Sequence, residues 1–233
     1  MKICVFAYNF KHKKTQETLI HLYLNNIKVH SIFAANKVKV KFKNSKIAST
    51  INHLDFVHPK KIAKKINSKY KIIQHDSKKL ERILFKEKFD LGIIAGSRII
   101  KKKIISKFRI GILNMHPGIL PKNRGLDPHK WAILNNWPQG VTCHLINEKI
   151  DLGKLINKKI IKVFNDDTLV DINYRLDNTS LKEMIKAIKK LKKNSKLNVL
   201  KNQNNLHSTI NSILEKKMLK NFKKYKKNYE KLI

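Results

Sequence analysis

The sequence predicts an α/β fold, a Rossmann-like, mostly parallel central sheet flanked by helices, with a basic helix toward its C-terminal end. Apolar runs of strand length, rich in Ile, Val and Phe, alternate with segments whose apolar residues recur at helical spacing, and that alternation marks βαβ units. The length, 233 residues, suits one core-forming domain with an appendage.

The candidate buried strands are Ile3 to Ala7, Val29 to Ala35, Tyr70 to Ile73, Leu91 to Ala95 and Ile110 to Leu113. Their near-continuous apolar character is what a strand covered on both faces needs. Thr15 to Asn25 reads as a helix carrying Leu19, Ile20, Leu22, Tyr23 and Leu24, and Ser77 to Lys86 as another, with Leu80, Ile83 and Leu84 behind Ser77 as N-cap. Asp127 to Asn135 is a short helix, after which Gly140 to Ile146 and Lys154 to Val163 read as strands. Asp166-Asp167-Thr168 caps a helix toward Lys192 with Leu169, Ile172, Leu176, Ile185, Ile188 and Leu191 as its apolar face. Residues 1–193 thus form the main domain, and 194–208, polar and Asn-rich, a linker. In 209–233, Ile210, Ile213, Leu214, Met218, Phe222, Tyr225, Tyr229 and Leu232 recur among lysines as a basic amphipathic helix, suited to packing or to a homodimer contact.

With 52 Lys+Arg against 16 Asp+Glu, the formal net charge is +36. Such a field favours nucleic acid or an anionic membrane surface. Here the excess is spread through nearly every segment, is almost all Lys, and accompanies abundant Ile and Asn, so its first reading is compositional. A polyanion partner is the second, with the basic segment Lys37 to Lys46 as one face for it. Cys4 and Cys143 sit inside apolar runs, which argues against a disulfide framework and fits a reducing cytoplasm. The apolar start Ile3 to Ala7 is too short for a signal-peptide core, and no run approaches the roughly 18 apolar residues of a membrane span, so stable membrane insertion is not expected.

The chemistry concentrates in Asn114-Met115-His116-Pro117-Gly118-Ile119-Leu120-Pro121-Lys122-Asn123-Arg124-Gly125 and in Asp151. Asn114 and His116 are two residues apart at the end of an apolar run, so an extended chain points both side chains the same way. In a parallel α/β sheet such a strand end is where ligands lie. Acyl transfer to an amine needs three kinds of group. A His can relay a proton near neutral pH or, protonated, stabilise an oxyanion; an Asn amide is an uncharged donor for that oxyanion. The Asp151 carboxylate can hold the imidazolium, order a water for proton relay, or act as base, and sequence does not choose among these.

The surrounding residues extend the pattern: Asn114-x-His116-Pro117-Gly118-Ile119-Leu120-Pro121-x-x-Arg124-Gly125, then Gly140-Val141-Thr142-x-His144, then Glu148-x-Ile150-Asp151-x-Gly153. Together they strongly resemble the folate-dependent formyltransferases, the family of methionyl-tRNA, glycinamide ribonucleotide and sugar N-formyltransferases. The resemblance runs from about Leu91 to Lys192 and implies the formyltransferase fold over 1–193, a catalytic trio of Asn114, His116 and Asp151, and 10-formyltetrahydrofolate as formyl donor. It also implies that the pterin lies against Ser97-Arg98-Ile99-Ile100 and against the loop holding Asn147, Glu148 and Ile150, much of it through backbone groups. The prolines and glycines between Pro117 and Gly125 fit a rigid turn, since Pro fixes φ and Gly permits positive φ.

The acceptor amine is read from departures. Purine-pathway members have a Gly-rich phosphate loop after the first strand, where this chain has Ala7-Tyr8-Asn9-Phe10-Lys11-His12-Lys13-Lys14-Thr15, with Lys13 and Lys14 reading as a solvated face. Methionyl-tRNA formyltransferases carry a C-terminal β-barrel, and the residues after Lys192 are too few for one. The outline is most similar to the sugar N-formyltransferases, which implies a nucleotide-linked amino sugar as acceptor, with Lys122 and Arg124 as contacts to its anionic part and Trp131 as a stacking surface or a buried anchor. Charged tRNA is the alternative acceptor, and a non-enzymatic polyanion or membrane-surface module the alternative class. The remaining histidines show no ligand spacing, His144 and Cys143 face opposite sides of one strand, and no metal is required.

Overall fold

The computed structural model describes residues 1–38, 55–193, 196–201 and 206–230. The basic stretch Lys37 to Lys46 falls outside the described residues from position 39 onward.

Eight strands form one sheet. In chain order the elements are β1 (Ile3–Tyr8), α1 (Lys13–Leu24), β2 (Ser31–Ala35), α2 (Pro59–Lys65), β3 (Lys69–Ile72), α3 (Lys78–Glu87), β4 (Leu91–Ile94), α4 (Lys102–Ile105) and β5 (Gly111–His116). There follow α5 (Pro128–Leu134), β6 (Gly140–Ile146), β7 (Gly153–Ile160), α6 (Leu169–Lys192), β8 (Asn198–Leu200) and α7 (Ser212–Glu230). The sheet order is β3-β2-β1-β4-β5-β6-β7-β8. The first five strands are parallel, and β6, β7 and β8 continue antiparallel. The expected strands, the helix behind Ser77 and the long helix after Thr168 are all present.

Each face of the sheet has its own core, as alternation along the strands demands. Val5, Ala7, Ile32, Ile93, Leu113 and Met115 point to the side covered by α1, α2 and α6, where Leu19, Ile62, Met184 and Ile188 meet them. Cys4, Phe6, Phe33 and Ile112 point the other way, against Leu80 and Leu84 of α3 and Ile104 of α4. Phe6 and Phe33 are fully buried, and at about 25 cal/mol per Å² each ring contributes up to about 3 kcal/mol of hydrophobic stabilisation. Ser77 Oγ accepts the Leu80 amide, and Thr168 with Asp171 forms a reciprocal capping box.

Three differences from the sequence reading have physical causes. The short helices α2 and α4 contain little apolar periodicity; α2 rests on His58 as N-cap, with Pro59 pre-set for the first helical turn. The expected linker 194–208 is not all linker, because Asn198–Leu200 adds to the open edge of β7 and buries Leu200 against Leu120 and Leu152. Lys13 and Lys14 are not a solvated face: Lys13 Nζ pairs with Asp177 at 2.6 Å, and Lys14 Nζ reaches the Met115 carbonyl at 3.2 Å. The terminal helix is present as α7 and packs on α5 and α6, burying Met218 and Tyr225 with Ile172 and Leu176. Among the described residues no helix is long and apolar enough to cross a membrane.

Candidate active site

Asn114 and His116 stand on the last turn of the pleat of β5, side by side on one face. Antiparallel pairing sets His144 of β6 opposite Asn114, and Thr142 opposite His116. Residues directly opposed in an antiparallel pair share a face, so β6 delivers His144 into the same site. A register shift between β6 and β7 falls beside it, at Cys143/His144.

Hydrogen bonding decides the tautomers. His144 Nδ1 lies 3.1 Å from the Leu152 carbonyl, which can only accept, so Nδ1 carries the proton and Nε2 is left to accept from Asn114 Nδ2 at 3.3 Å. Burial holds the His144 imidazole down at about 4, with the neighbouring His116 acting in the same direction, so His144 is neutral at physiological pH. A neutral His144 therefore orients the Asn114 amide. His116 Nε2 donates to the Asn123 carbonyl at 2.7 Å, which turns Nδ1 toward Asp151, whose Oδ1 is 3.5 Å away. The His116 and Asp151 side chains are 5% and 12% exposed, so the pair sits in a largely water-excluded environment where charge interactions are strengthened.

Asp151 sits in the β6–β7 hairpin with φ +51, a left-handed conformation that Asp tolerates. Its Oδ2 accepts the Gly125 amide at 2.8 Å. The turn after β5 is therefore tied to the hairpin: Arg124 donates from Nε and a terminal nitrogen to the Ile150 carbonyl at 3.1 and 2.8 Å. Thr142 Oγ1 donates to the Gly118 carbonyl at 2.7 Å and accepts the Leu120 amide. The two glycines of this turn serve different needs. Gly125 has φ +104, whereas a Cβ at Gly118 would stand 2.7 Å from His116 Nε2, so Gly118 supplies room for the imidazole. The Leu120–Pro121 bond is cis.

Of the expected site residues, Asn114, His116 and Asp151 are brought together. Ser97-Arg98-Ile99-Ile100 and Asn147 to Ile150 are adjacent loops: Lys102 Nζ meets Glu148 at 3.4 Å, and Ile146 packs on the cluster containing Ile100. Ile99 and Ile150 are exposed in these two loops, while Ile100 is buried. Arg124 is buried with its guanidinium on Ile150, a loop contact where an acceptor contact was expected. Lys122 Nζ lies 4.9 Å over the Trp137 ring. Trp131 is half-buried and stacks on His207, centroids 4.3 Å apart. Sequence reasoning missed His144 as a site residue, although it belonged to the quoted motif, and missed Lys14, on which burial pushes the ammonium pKa down against the fields of Asp177 and Asp151. Among the described residues no group of three or more His, Cys, Asp or Glu side chains is placed to hold a metal ion.

The Formyl transferase family profile matches residues 1–188. The chain belongs to the Formyl transferase family. Among formyl transferase relatives, the methionyl-tRNA formyltransferase of Buchnera aphidicola subsp. Schizaphis graminum is 29% identical over 143 residues, which is 60% of this chain and 45% of that protein. The chain thus spans less than half the length of this curated relative. Among solved structures, a sugar N-formyltransferase from Shewanella sp FDAARGOS_354 superposes with a TM-score of 0.64 and 19% identity, covering 95% of this chain and 87% of that one. A formyltransferase from Anoxybacillus kamchatkensis, in complex with UDP-4,6-dideoxy-4-formamido-L-AltNAc and tetrahydrofolate, superposes with a TM-score of 0.53 and 18% identity, covering 88% and 84%. At these identities the structural likeness establishes the shared formyl transferase fold.

Proposed function

We propose that this protein is a cytoplasmic N-formyltransferase that moves a formyl group from 10-formyltetrahydrofolate to the primary amine of a nucleotide-linked amino sugar. The observation that carries the reading is the approach of His116 Nδ1 to Asp151 Oδ1 at 3.5 Å beside Asn114, inside the family's matched region. The folate supplies an activated one-carbon acyl group. The chain's own residues fit such a donor: Ile99 and Ile150 expose apolar side chains from two adjacent loops, the kind of surface a flat heterocycle covers.

The geometry supports the following roles. Asn114, held by His144, presents a preorganised amide donor toward a developing oxyanion. His116, with Nε2 committed to Asn123, works through Nδ1, where Asp151 stabilises the imidazolium. Asp151, kept in place by the Gly125 amide, takes up the proton released by the attacking amine, and a proton is returned to the folate nitrogen as it leaves, so the carboxylate is regenerated.

An acceptor of this kind is supported by three features. The likeness to the Shewanella sugar N-formyltransferase extends over 95% of the chain. The loop after β1 is not an open phosphate cradle, because Tyr8 stacks on Phe10 at 5.0 Å and the His12 imidazole caps α1 by accepting the Thr15 amide. Arg98 is exposed beside the donor loops, available to an anionic group. Transfer to charged tRNA is the second reading, favoured by the methionyl-tRNA formyltransferase relatives and the net charge of +36. Incubating the protein with 10-formyltetrahydrofolate and separate amino-sugar nucleotides, charged initiator tRNA or small amines tests both. Mass gain of one formyl group on the amino sugar is the expected result; a gain on tRNA alone overturns the acceptor, and none on any amine overturns the activity.

A further inference from the structure

We infer that the segment after the main domain is part of the active site: residues 206–210 form a strap that positions Asp151 through the Gly125 amide. This rests on the reading above that Asp151 works in formyl transfer.

The strap is built from backbone bonds across a long sequence separation. His207 donates its amide to the Arg124 carbonyl at 2.9 Å, and its carbonyl accepts the Leu126 amide at 3.0 Å, forming a parallel bridge at Gly125. Gly125 is thus held on both sides while its own amide points the other way, to Asp151 Oδ2 at 2.8 Å. The fit is tight, since a Cβ at Gly125 would stand 2.1 Å from the His207 carbonyl oxygen. Asp127, the next polar residue of the turn, accepts the Ile210 amide at 3.1 Å.

Side chains lock the strap to α5. Trp131 stacks on His207 and donates its indole N–H to the Ser208 carbonyl at 2.9 Å, while Trp137 lies 5.7 Å from the same imidazole. Beyond the strap, α7 is anchored by a buried Lys130–Glu215 pair at 2.7 Å and by Tyr225 Oη donating to the Trp137 carbonyl at 2.7 Å. A carboxylate gains from a backbone donor only if that donor is held where the charge sits. The strap does this for Gly125, which lies in a turn outside the eight named strands. Trp131 and His207 are therefore positioning residues, acting on Asp151 through the backbone of Gly125.

The test uses the full chain and reads the Gly125 amide and the turnover separately. In the native protein, hydrogen exchange at Gly125, Leu126 and His207 should share one opening reaction with one dependence on denaturant. Trp131→Ala and His207→Ala should each accelerate exchange at Gly125 by about tenfold or more while leaving the β1 and β2 amides protected, and should lower kcat about tenfold with the KM for 10-formyltetrahydrofolate little changed. His207→Phe, which keeps a ring on Trp131, should restore both. Independent opening of Gly125 in the native protein overturns the inference even if the alanine variants fail to fold. So does unchanged Gly125 exchange or unchanged kcat in either alanine variant. If Gly125 responds as expected but no acceptor is formylated by the native protein, the strap stands and the proposed activity falls.

Discussion

Acid should destabilise this protein well above the pH at which its carboxylates protonate, because buried imidazoles such as those of His129 and His144 are held neutral. His129 on α5 is 7% exposed and His144 is fully buried, and burial lowers each from 6.5 to about 4. A histidine whose folded pKa lies below its unfolded value binds fewer protons when folded. Its contribution is therefore complete above about pH 6.5 and is lost as the pH falls toward 4. Between pH 8 and pH 5 that loss amounts to about 2 kcal/mol per histidine. For the two together it is about 4 kcal/mol, or a fall in Tm of about 10 °C for a chain of this size. His129→Gln isolates one of them, since His129 lies outside the catalytic trio and its Nε2 is buried with no hydrogen-bond partner among the described residues. Urea unfolding at pH 8 and pH 5 should show the variant losing about 2 kcal/mol less than the native protein over that interval. An identical pH dependence in the two proteins would refute the argument that buried neutral imidazole sets the acid limit.

Three further outcomes are expected. His116→Ala and Asp151→Asn should each reduce formyl transfer by at least about a thousandfold with the far-UV spectrum and unfolding midpoint preserved, because each removes a group from the proton path; retained turnover in either would sink the mechanism. Lys130→Met should cost about 3–5 kcal/mol by leaving Glu215 charged and buried, whereas Lys130→Met with Glu215→Leu should recover most of it; a double-mutant cycle in urea reads the difference. Thr168→Ala should destabilise by about 1 kcal/mol through loss of the α6 capping box, measured by thermal unfolding.

The parts of the fold that were legible in the sequence are those carried by local patterns. Strands β1, β2 and β4 announce themselves because both faces are buried and nearly every residue is apolar. The α3 and α6 caps are legible because a cap is a bond between residues three apart, Ser77 with Leu80 and Thr168 with Asp171. β8 was hidden because a three-residue strand exists only by virtue of the β7 edge beside it. The bland reading of Lys14 failed because its carbonyl partner lies 101 residues away.

The sequence by itself determined the α/β class, the placement of Asn114 and His116 on one face of a strand end, and the motif that includes Asp151. These depend on spacing of two to a few residues, over which backbone geometry dictates direction. Only the tertiary structure decided that His144 orients Asn114, that His116 presents Nδ1 to Asp151, and that Arg124 binds the Ile150 carbonyl. It also brought His207 onto the backbone beside Gly125. Those contacts join segments 26 to 82 residues apart, and which of many lysines, histidines or carbonyls meet across such distances is settled by sheet register and close packing.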